Sequence, residues 1–176
     1  KEKNLQLLAD AFIDITDAGY RSALIVVGDG AFRNELEHLL NGYPVLFTGF
    51  LSGDELSTIY ASSDVFVFPS TTDTFGNVVL EAQSSGIPVI VSDEGGPKEL
   101  MVDGKTGLVI KAHSKTALVD ALTFFLRDKN NRAFMGSNAR NFAETNGITA
   151  YEAYHTILNT HAKIEERCTT EDFVQV

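Results

Sequence analysis

Two carboxylates in the middle of the sequence, Asp73 and Glu81, flank the short segment Phe75-Gly76-Asn77. The apolar spacing after this segment predicts a helix that begins at about Asn77. The amide N–H groups of the segment therefore lie at a helix N-terminus, where the helix dipole favours an anion. A carboxylate beside such a site can accept hydrogen bonds from the vicinal hydroxyls of a sugar. The pattern predicts a phosphate-binding amide cluster between two hydroxyl-binding acids.

The elements that must position these groups follow one another as strand, loop, helix and strand. Residues 65–68 form the continuous apolar run expected of a parallel strand that is covered on both faces. The helix is predicted over residues 77–85 and ends at Gly86, and the next buried strand covers residues 88–91. One face of the helix carries Val79, Ala82 and Gln83. Ligands of such folds bind beyond the carboxyl ends of the strands, which is where both acids are predicted to lie.

Strand and helix spacing alternate along most of the chain. Further strands are predicted at residues 22–27, 45–48 and 107–110. Ser52 with Glu55 has the spacing of a capping box at the start of a helix, and a short helix over residues 97–102 has Pro97 in its first turn. After residue 113 only helical spacing continues: Ser114 caps one helix, residues 131–144 form another that carries Phe134, Met135 and Phe142, and residues 149–166 form a third. We expect an α/β fold with a doubly wound, Rossmann-like parallel sheet and a helical C-terminal cover. The domain is expected over residues 1–166, with a tail at residues 167–176.

Composition excludes several classes of function. The net charge of −10 opposes nucleic acid and anionic membrane surfaces as partners. No apolar run approaches the roughly 18–20 residues of a membrane span. The single cysteine, Cys168, cannot form an internal disulfide and is typical of the reducing cytoplasm. The four histidines have no zinc-binding spacing and no Asp-x-Asp pair occurs, so no metal site is expected. Gly28-Asp29-Gly30 has Arg33 where a dinucleotide fingerprint has its third glycine, which argues against a nicotinamide or flavin cofactor.

The stretch from Ser70 to Leu108 resembles a known family signature. Its acid-x7-Glu spacing, its glycines at positions 76, 86, 95 and 96, and the run Asp103-Gly104-x-Thr106-Gly107-Leu108 are similar to those of retaining, nucleotide-sugar-dependent glycosyltransferases. These enzymes have the glycosyltransferase B (GT-B) architecture, and the resemblance is to the family 4 or "group 1" type. The family usually has Glu where this chain has Asp73, and often Met where it has Gln83.

The resemblance implies roles for individual residues. Glu81 would bind the ribose of the nucleotide and Asp73 the hydroxyls of the donor sugar, and these two are the expected catalytic residues. Lys3 and the amides of Gly76 and Asn77 would bind the diphosphate. The complete expected set of donor-binding residues is Lys3, Phe50, Leu51, Phe75, Gly76, Asn77, Glu81, Gly95 and Gly96. No metal and no further cofactor is implied.

Each of these residues also has a purely structural interpretation. Glu81 can act as a partner of the helix dipole, Asp73 as a cap in a turn, and Lys3 as a solvated charge near a chain end. Packing explains Phe50 and Leu51 nearly as well as contact with a nucleobase. Gly95 and Gly96 can simply form a turn.

The resemblance also implies what surrounds this chain. In the family an acceptor-binding N-terminal domain comes first, and a strand ending in Gly-Arg precedes the helix start that Lys3-Asn4 resembles. We expect a donor-binding domain of a longer cytoplasmic enzyme, whose first strand lies ahead of Lys1 and which binds a UDP-, GDP- or ADP-linked sugar. The isolated chain is expected to transfer no sugar, because half of the interdomain cleft belongs to the partner domain.

Two other functions remain open at this point. A non-catalytic or regulatory module would hold a nucleotide sugar without transferring it, and Asp73 in place of Glu is the feature that favours it. A nucleotide-sugar epimerase shares the two-domain architecture, but the spacing of Asp73 and Glu81 does not point to it.

Overall fold

The computed structural model describes residues 3–145, in which five short strands alternate with helices. Short runs such as Val-Ile-Val-Ser, residues 89–92, become strands because they are too short for a stable helix and rich in β-branched residues. The strands are β1 Leu24–Val27, β2 Val45–Gly49, β3 Phe66–Phe68, β4 Val89–Ser92 and β5 Gly107–Ile110. The helices are α1 Leu5–Asp17, α2 Arg33–Leu39, α3 Gly53–Ala61, α4 Asn77–Ser84, α5 Lys115–Arg127 and α6, described over residues 129–145.

All strand pairs are parallel, and the described strands are hydrogen-bonded as two sheets, β1–β2 and β3–β4–β5. In the larger sheet Val67 pairs with Ile90, and Ile90 pairs with Leu108. Parallel strands need long crossover connections, and the intervening helices supply them. The predicted parallel α/β fold is confirmed.

Helices cover both faces of β4, and the alternation of side chains along the strand decides which helix each residue meets. Ile90 belongs to a cluster with Leu8 of α1 and with Leu118 and Phe125 of α5. Its neighbours Val89 and Val91 point the other way, into a cluster with Val79 and Ala82 of α4. All four residues of β4 are buried.

Helix α4 matches its prediction closely. Its buried residues are the three that the spacing indicated, Val79, Ala82 and Gln83, and Gly86 follows it with a positive φ. Helix α5 begins after Ser114, whose hydroxyl accepts a hydrogen bond from the amide of Ala117 at 3.2 Å. These boundaries were predictable because capping and periodicity depend on neighbours in the sequence.

Four local expectations were wrong. Ser52 is the N-cap residue of α3 but its side chain makes no capping hydrogen bond, so there is no capping box. The predicted helix at Pro97 is a 3₁₀ turn, Pro97–Leu100. Phe134 is 63% exposed, because Met135 takes the inward position on α6. The strand at residues 66–68 is only half-buried, since β4 is its single described neighbour and the strand therefore lies at an edge.

Some expectations lie outside the described residues. These are the helix at residues 149–166, the tail at residues 167–176 and the strand ahead of Lys1, all of which stay predictions. Within residues 3–145, none of the helices has both the length and the apolar character needed to cross a bilayer.

Candidate functional site

The loops that follow β3 and β4 are joined at the carboxyl edge of their sheet. The amide of Gly96 donates a hydrogen bond to the carbonyl oxygen of Asp73 at 2.9 Å. A Cβ atom at position 96 would overlap the carbonyl oxygen of Thr74, so only glycine permits this approach of the two backbones. The structure thus brings the predicted site residues Asp73 and Gly96 together, although 23 positions separate them.

The carboxylate of Asp73 is hydrogen-bonded to a buried serine. The hydroxyl of Ser70, a fully buried residue two positions after β3, donates a hydrogen bond to Oδ2 of Asp73. Asp73 itself is half-buried. One oxygen of the shorter acid is therefore oriented before any ligand arrives.

The N-terminus of α4 lies between the two acids in the chain. Gly76 precedes the helix with a φ of 81°, and a Cβ atom there would lie 2.9 Å from Cγ of Pro97. Within residues 3–145, no group accepts a hydrogen bond from the amides of Gly76 and Asn77, and no side chain caps the helix. Amides left unpaired at the positive end of a helix form an anion-binding position. Phe75, just before them, is 53% exposed.

Glu81 lies just over one turn into α4 and is exposed. Its Oε2 accepts a hydrogen bond from the hydroxyl of Tyr60 on α3 at 3.1 Å. Burial raises the pKa of Tyr60 far above its ordinary value, and the negative charge of Glu81 adds to that increase, so the phenol stays protonated and acts as the donor. Both residues line a groove of about 580 Å³ between α3 and α4, to which Asn77 and Leu80 also contribute.

The start of α1 reaches the same edge of the β3–β4–β5 sheet. The side-chain amide of Asn4 donates a hydrogen bond to the carbonyl oxygen of Pro69, directly after β3, at 2.9 Å. Nζ of the exposed Lys3 lies 5.9 Å from the centroid of the Phe68 ring, within the range of a cation–π contact. The cation predicted to bind the diphosphate therefore lies beside the strand that leads to Asp73.

Phe50 and Leu51 lie in the connection between β2 and α3. Phe50 is 82% exposed and Leu51 is half-buried. The helix that follows them begins at Gly53, which lines the same groove as Glu81. Neither Phe50 nor Leu51 is buried in the core, and both immediately precede the helix that forms one side of the groove.

Comparison with known proteins decides the family. The model of the family described as glycosyl transferases group 1 matches residues 1–142. The chain belongs to this family.

Several known proteins resemble the chain. The sulfoquinovosyl transferase SQD2 of Arabidopsis thaliana is 40% identical over 146 residues, which are 81% of this chain and 28% of that protein. A structure of Anabaena HepE in complex with UDP and glucose has a TM-score of 0.78 at 25% identity and covers 90% of this chain and 45% of its own. The C-terminal domain of the Francisella tularensis group 1 protein LpcC has a TM-score of 0.73 at 25% identity, covering 82% of this chain and 79% of its own.

The shares covered also show which part of a family member the chain corresponds to. It spans less than a third of the plant sulfoquinovosyl transferase and less than half of the HepE chain, but most of a C-terminal domain. The prediction that it resembles the C-terminal part of a GT-B enzyme is confirmed.

Two residues of this group 1 chain were not predicted as site residues. Ser70 lies in the recognised motif, and its spacing of three from Asp73 was the signal that could have found it. Tyr60 lies 21 positions before Glu81 on another helix, and no local pattern indicates that contact. Within the described part of the chain, no group of three or more His, Cys, Asp or Glu side chains could hold a metal ion.

Proposed function

We propose that this chain is the donor-binding domain of a retaining glycosyltransferase, which moves a sugar from a nucleotide diphosphate to an acceptor. The observation that carries the proposal is the junction of the two loops. The Gly96–Asp73 hydrogen bond fixes the backbone of the loop that carries the first acid and leads into the unpaired amides of α4, and Glu81 follows on that helix. By similarity, sulfoquinovosyl transferase SQD2 supports the transfer of a sugar, and the complex of HepE with UDP and glucose supports a nucleotide-linked donor.

The proposed donor spans the N-terminus of α4. Its diphosphate accepts hydrogen bonds from the amides of Gly76 and Asn77 and lies near the ammonium group of Lys3. Its ribose donates hydrogen bonds to Glu81, with the base toward Phe50 and Leu51. The transferred sugar lies against the carboxylate of Asp73, beside the joined backbone of Gly95 and Gly96. The donor carries UDP, GDP or ADP.

The proposed reaction breaks the bond between the anomeric carbon and the diphosphate oxygen and forms a bond to the acceptor oxygen on the same face. The acceptor's proton passes to the leaving phosphate. Negative charge grows on the diphosphate as it leaves, and the α4 amides, the helix dipole and Lys3 stabilise it. Each preorganised donor of this kind contributes about 3–4 kcal/mol to lowering such barriers.

The acceptor binds, in this proposal, to an N-terminal domain of the same enzyme, so that the chain alone transfers no sugar. The enzyme works in the cytoplasm, for which the single cysteine of the sequence is the support.

The proposal is tested by calorimetric titration of the chain with UDP, GDP, ADP and their sugar conjugates. The variant Glu81→Ala is expected to weaken nucleotide binding by about tenfold to a hundredfold, since hydrogen bonds to a charged group contribute about 1.5–3 kcal/mol. Glu35→Ala is the matched control, because Glu35 is also an exposed glutamate early in a helix, but on α2. Unchanged affinity of Glu81→Ala for every nucleotide would refute the ribose role.

A nucleotide-sugar-binding module that transfers nothing is the second candidate. The bond from Ser70 to Asp73 favours it, because it engages one oxygen of an acid that is already one methylene shorter than the family's usual Glu. A transferase domain and a binding module would both bind the nucleotide sugar, but only the transferase would convert it to nucleotide diphosphate and a glycosylated acceptor. Product analysis with donor, acceptor and the complete two-domain enzyme separates them.

A further inference from the structure

The hydrogen bond between Tyr60 and Glu81 connects two helices across the groove. The Tyr60 hydroxyl reaches Oε2 of Glu81 from the last turn of α3. Glu81 is an exposed side chain on α4, whereas Tyr60 is half-buried. Of the two, the phenol is therefore the more fixed partner.

A stack of aromatic rings fixes Tyr60. Its ring meets the ring of Phe66 edge to face, with centroids 5.8 Å apart and an angle of 63°. Phe66 in turn stacks on Phe68, two positions along β3, at 6.0 Å and 15°. All three rings pack against the buried cluster that contains Val79 and Val89. The position of the Tyr60 hydroxyl is thus set by the sheet and its core.

A carboxylate has two oxygens with about four acceptor positions, so one phenol leaves room for the two hydroxyls of a ribose. An unrestrained glutamate loses conformational freedom when it binds a ligand, and that loss weakens binding. A hydrogen bond that already orients the carboxylate reduces the loss.

We propose that Tyr60 is a positioning residue for the nucleotide: its hydroxyl holds the carboxylate of Glu81 in the orientation that accepts the ribose hydroxyls. The inference rests on the proposed function, in which Glu81 binds the ribose. A purely structural role, tying α3 to α4, would stabilise the fold without distinguishing one nucleotide from another.

The test compares a ribonucleotide with its 2′,3′-dideoxy analogue on the full chain. The probe is whichever of UDP, GDP and ADP the wild-type chain binds most tightly. Tyr60→Phe is expected to weaken binding of the ribonucleotide by about threefold to tenfold, the size of one neutral-donor hydrogen bond. It is expected to change binding of the dideoxy analogue less than about twofold, because that ligand has no hydroxyls for Glu81 to accept.

Tyr43→Phe is the matched control. The Tyr43 hydroxyl also contacts a carboxylate, Asp17, at 3.3 Å, but it does not line the groove. Removing it is expected to leave both affinities unchanged. Thermal unfolding of each variant reports any loss of fold.

The remaining outcomes separate this inference from the proposed function. If Tyr60→Phe weakens both ligands equally, or neither, the positioning role is wrong even though Glu81→Ala abolishes the preference for ribose. If the wild-type chain does not prefer the ribonucleotide, the ribose role of Glu81 and this inference fail together.

Discussion

The β3–β4–β5 sheet and the β1–β2 sheet are made of similar apolar runs but differ in burial. All four residues of β4 are buried, whereas three of β1 are half-buried and the fourth is exposed. In the smaller sheet one face packs on α1 and α2 through Leu24, Val26 and Phe47. Leu46, which points the other way, is 54% exposed. Among the described residues, the central strand of the larger sheet is therefore covered on both faces, whereas the smaller sheet leaves Leu46 exposed on one face.

The glycine loops that follow β1 and β4, at the carboxyl edges of the two sheets, differ in how closely other atoms approach the glycines. Around Gly28 and Gly30, after β1, a Cβ atom would meet nothing within 4 Å. Around Gly96, after β4, it would overlap the backbone of Thr74. The glycines of the first loop have free space around Cα. Gly96 in the second loop is required because the backbone of Thr74 contacts it directly. Of the two loops, only the second has a backbone contact so close that a side chain at the glycine would block it.

The largest expected effect comes from truncating one isoleucine in each of the two sheets. Ile90→Ala on β4 is expected to lower the free energy of unfolding by about 2–5 kcal/mol, since it leaves a cavity in a fully buried cluster. Ile25→Ala on the half-buried β1 is expected to cost about 1 kcal/mol. Urea unfolding measures both. Equal losses would show that the two sheets are equally well packed.

The second effect concerns the glycine loops. Gly96→Ala is expected to lower the free energy of unfolding by about 3 kcal/mol, because the added methyl must displace a backbone carbonyl. Gly30→Ala is its control: that position has open space and no positive φ, so a change within about 0.5 kcal/mol is expected. Nucleotide titration of Gly96→Ala should also show weaker binding than Gly30→Ala. A Gly96→Ala chain as stable as wild type would mean that the loops are not in rigid contact.

The smallest effect is a pH dependence at the end of β4. Asp93 accepts hydrogen bonds from the amide of Ala112 at 2.7 Å and from Nζ of Lys111 at 3.0 Å. The Ala112 amide chiefly, and then Lys111, hold the pKa of Asp93 below its usual range. A carboxyl with a depressed pKa contributes stability that is present above the unfolded value of about 3.9 and is lost as pH falls through the folded value.

Asp93→Asn should therefore flatten the acid side of the stability profile, measured by urea unfolding below about pH 5. Lys111→Met should retain most of that dependence, because the backbone amide is the larger cause. A larger effect from Lys111→Met than from Asp93→Asn would reverse this order of causes.

Local patterns predicted the elements well where neighbours in sequence decide them. Helix α4 and its inward face, the cap at Ser114 and strand β5 all follow from spacing within a few residues. The missing cap at Ser52 and the exposure of Phe134 were not predictable from the sequence. Each depends on how distant segments pack around the residue, and spacing within a helix does not determine that packing. The roles of the site residues stay proposals, although their family is established.

The sequence by itself determined the parallel α/β fold, the family and the motif from Ser70 to Leu108, because periodicity, glycines and acids are properties of neighbouring residues. Only the tertiary structure decided which groups meet: Asn4 with Pro69, Gly96 with Asp73, and Tyr60 with Glu81. These contacts join residues 21 to 65 positions apart. Their geometry is set by how helices pack on the sheet, which no local pattern encodes.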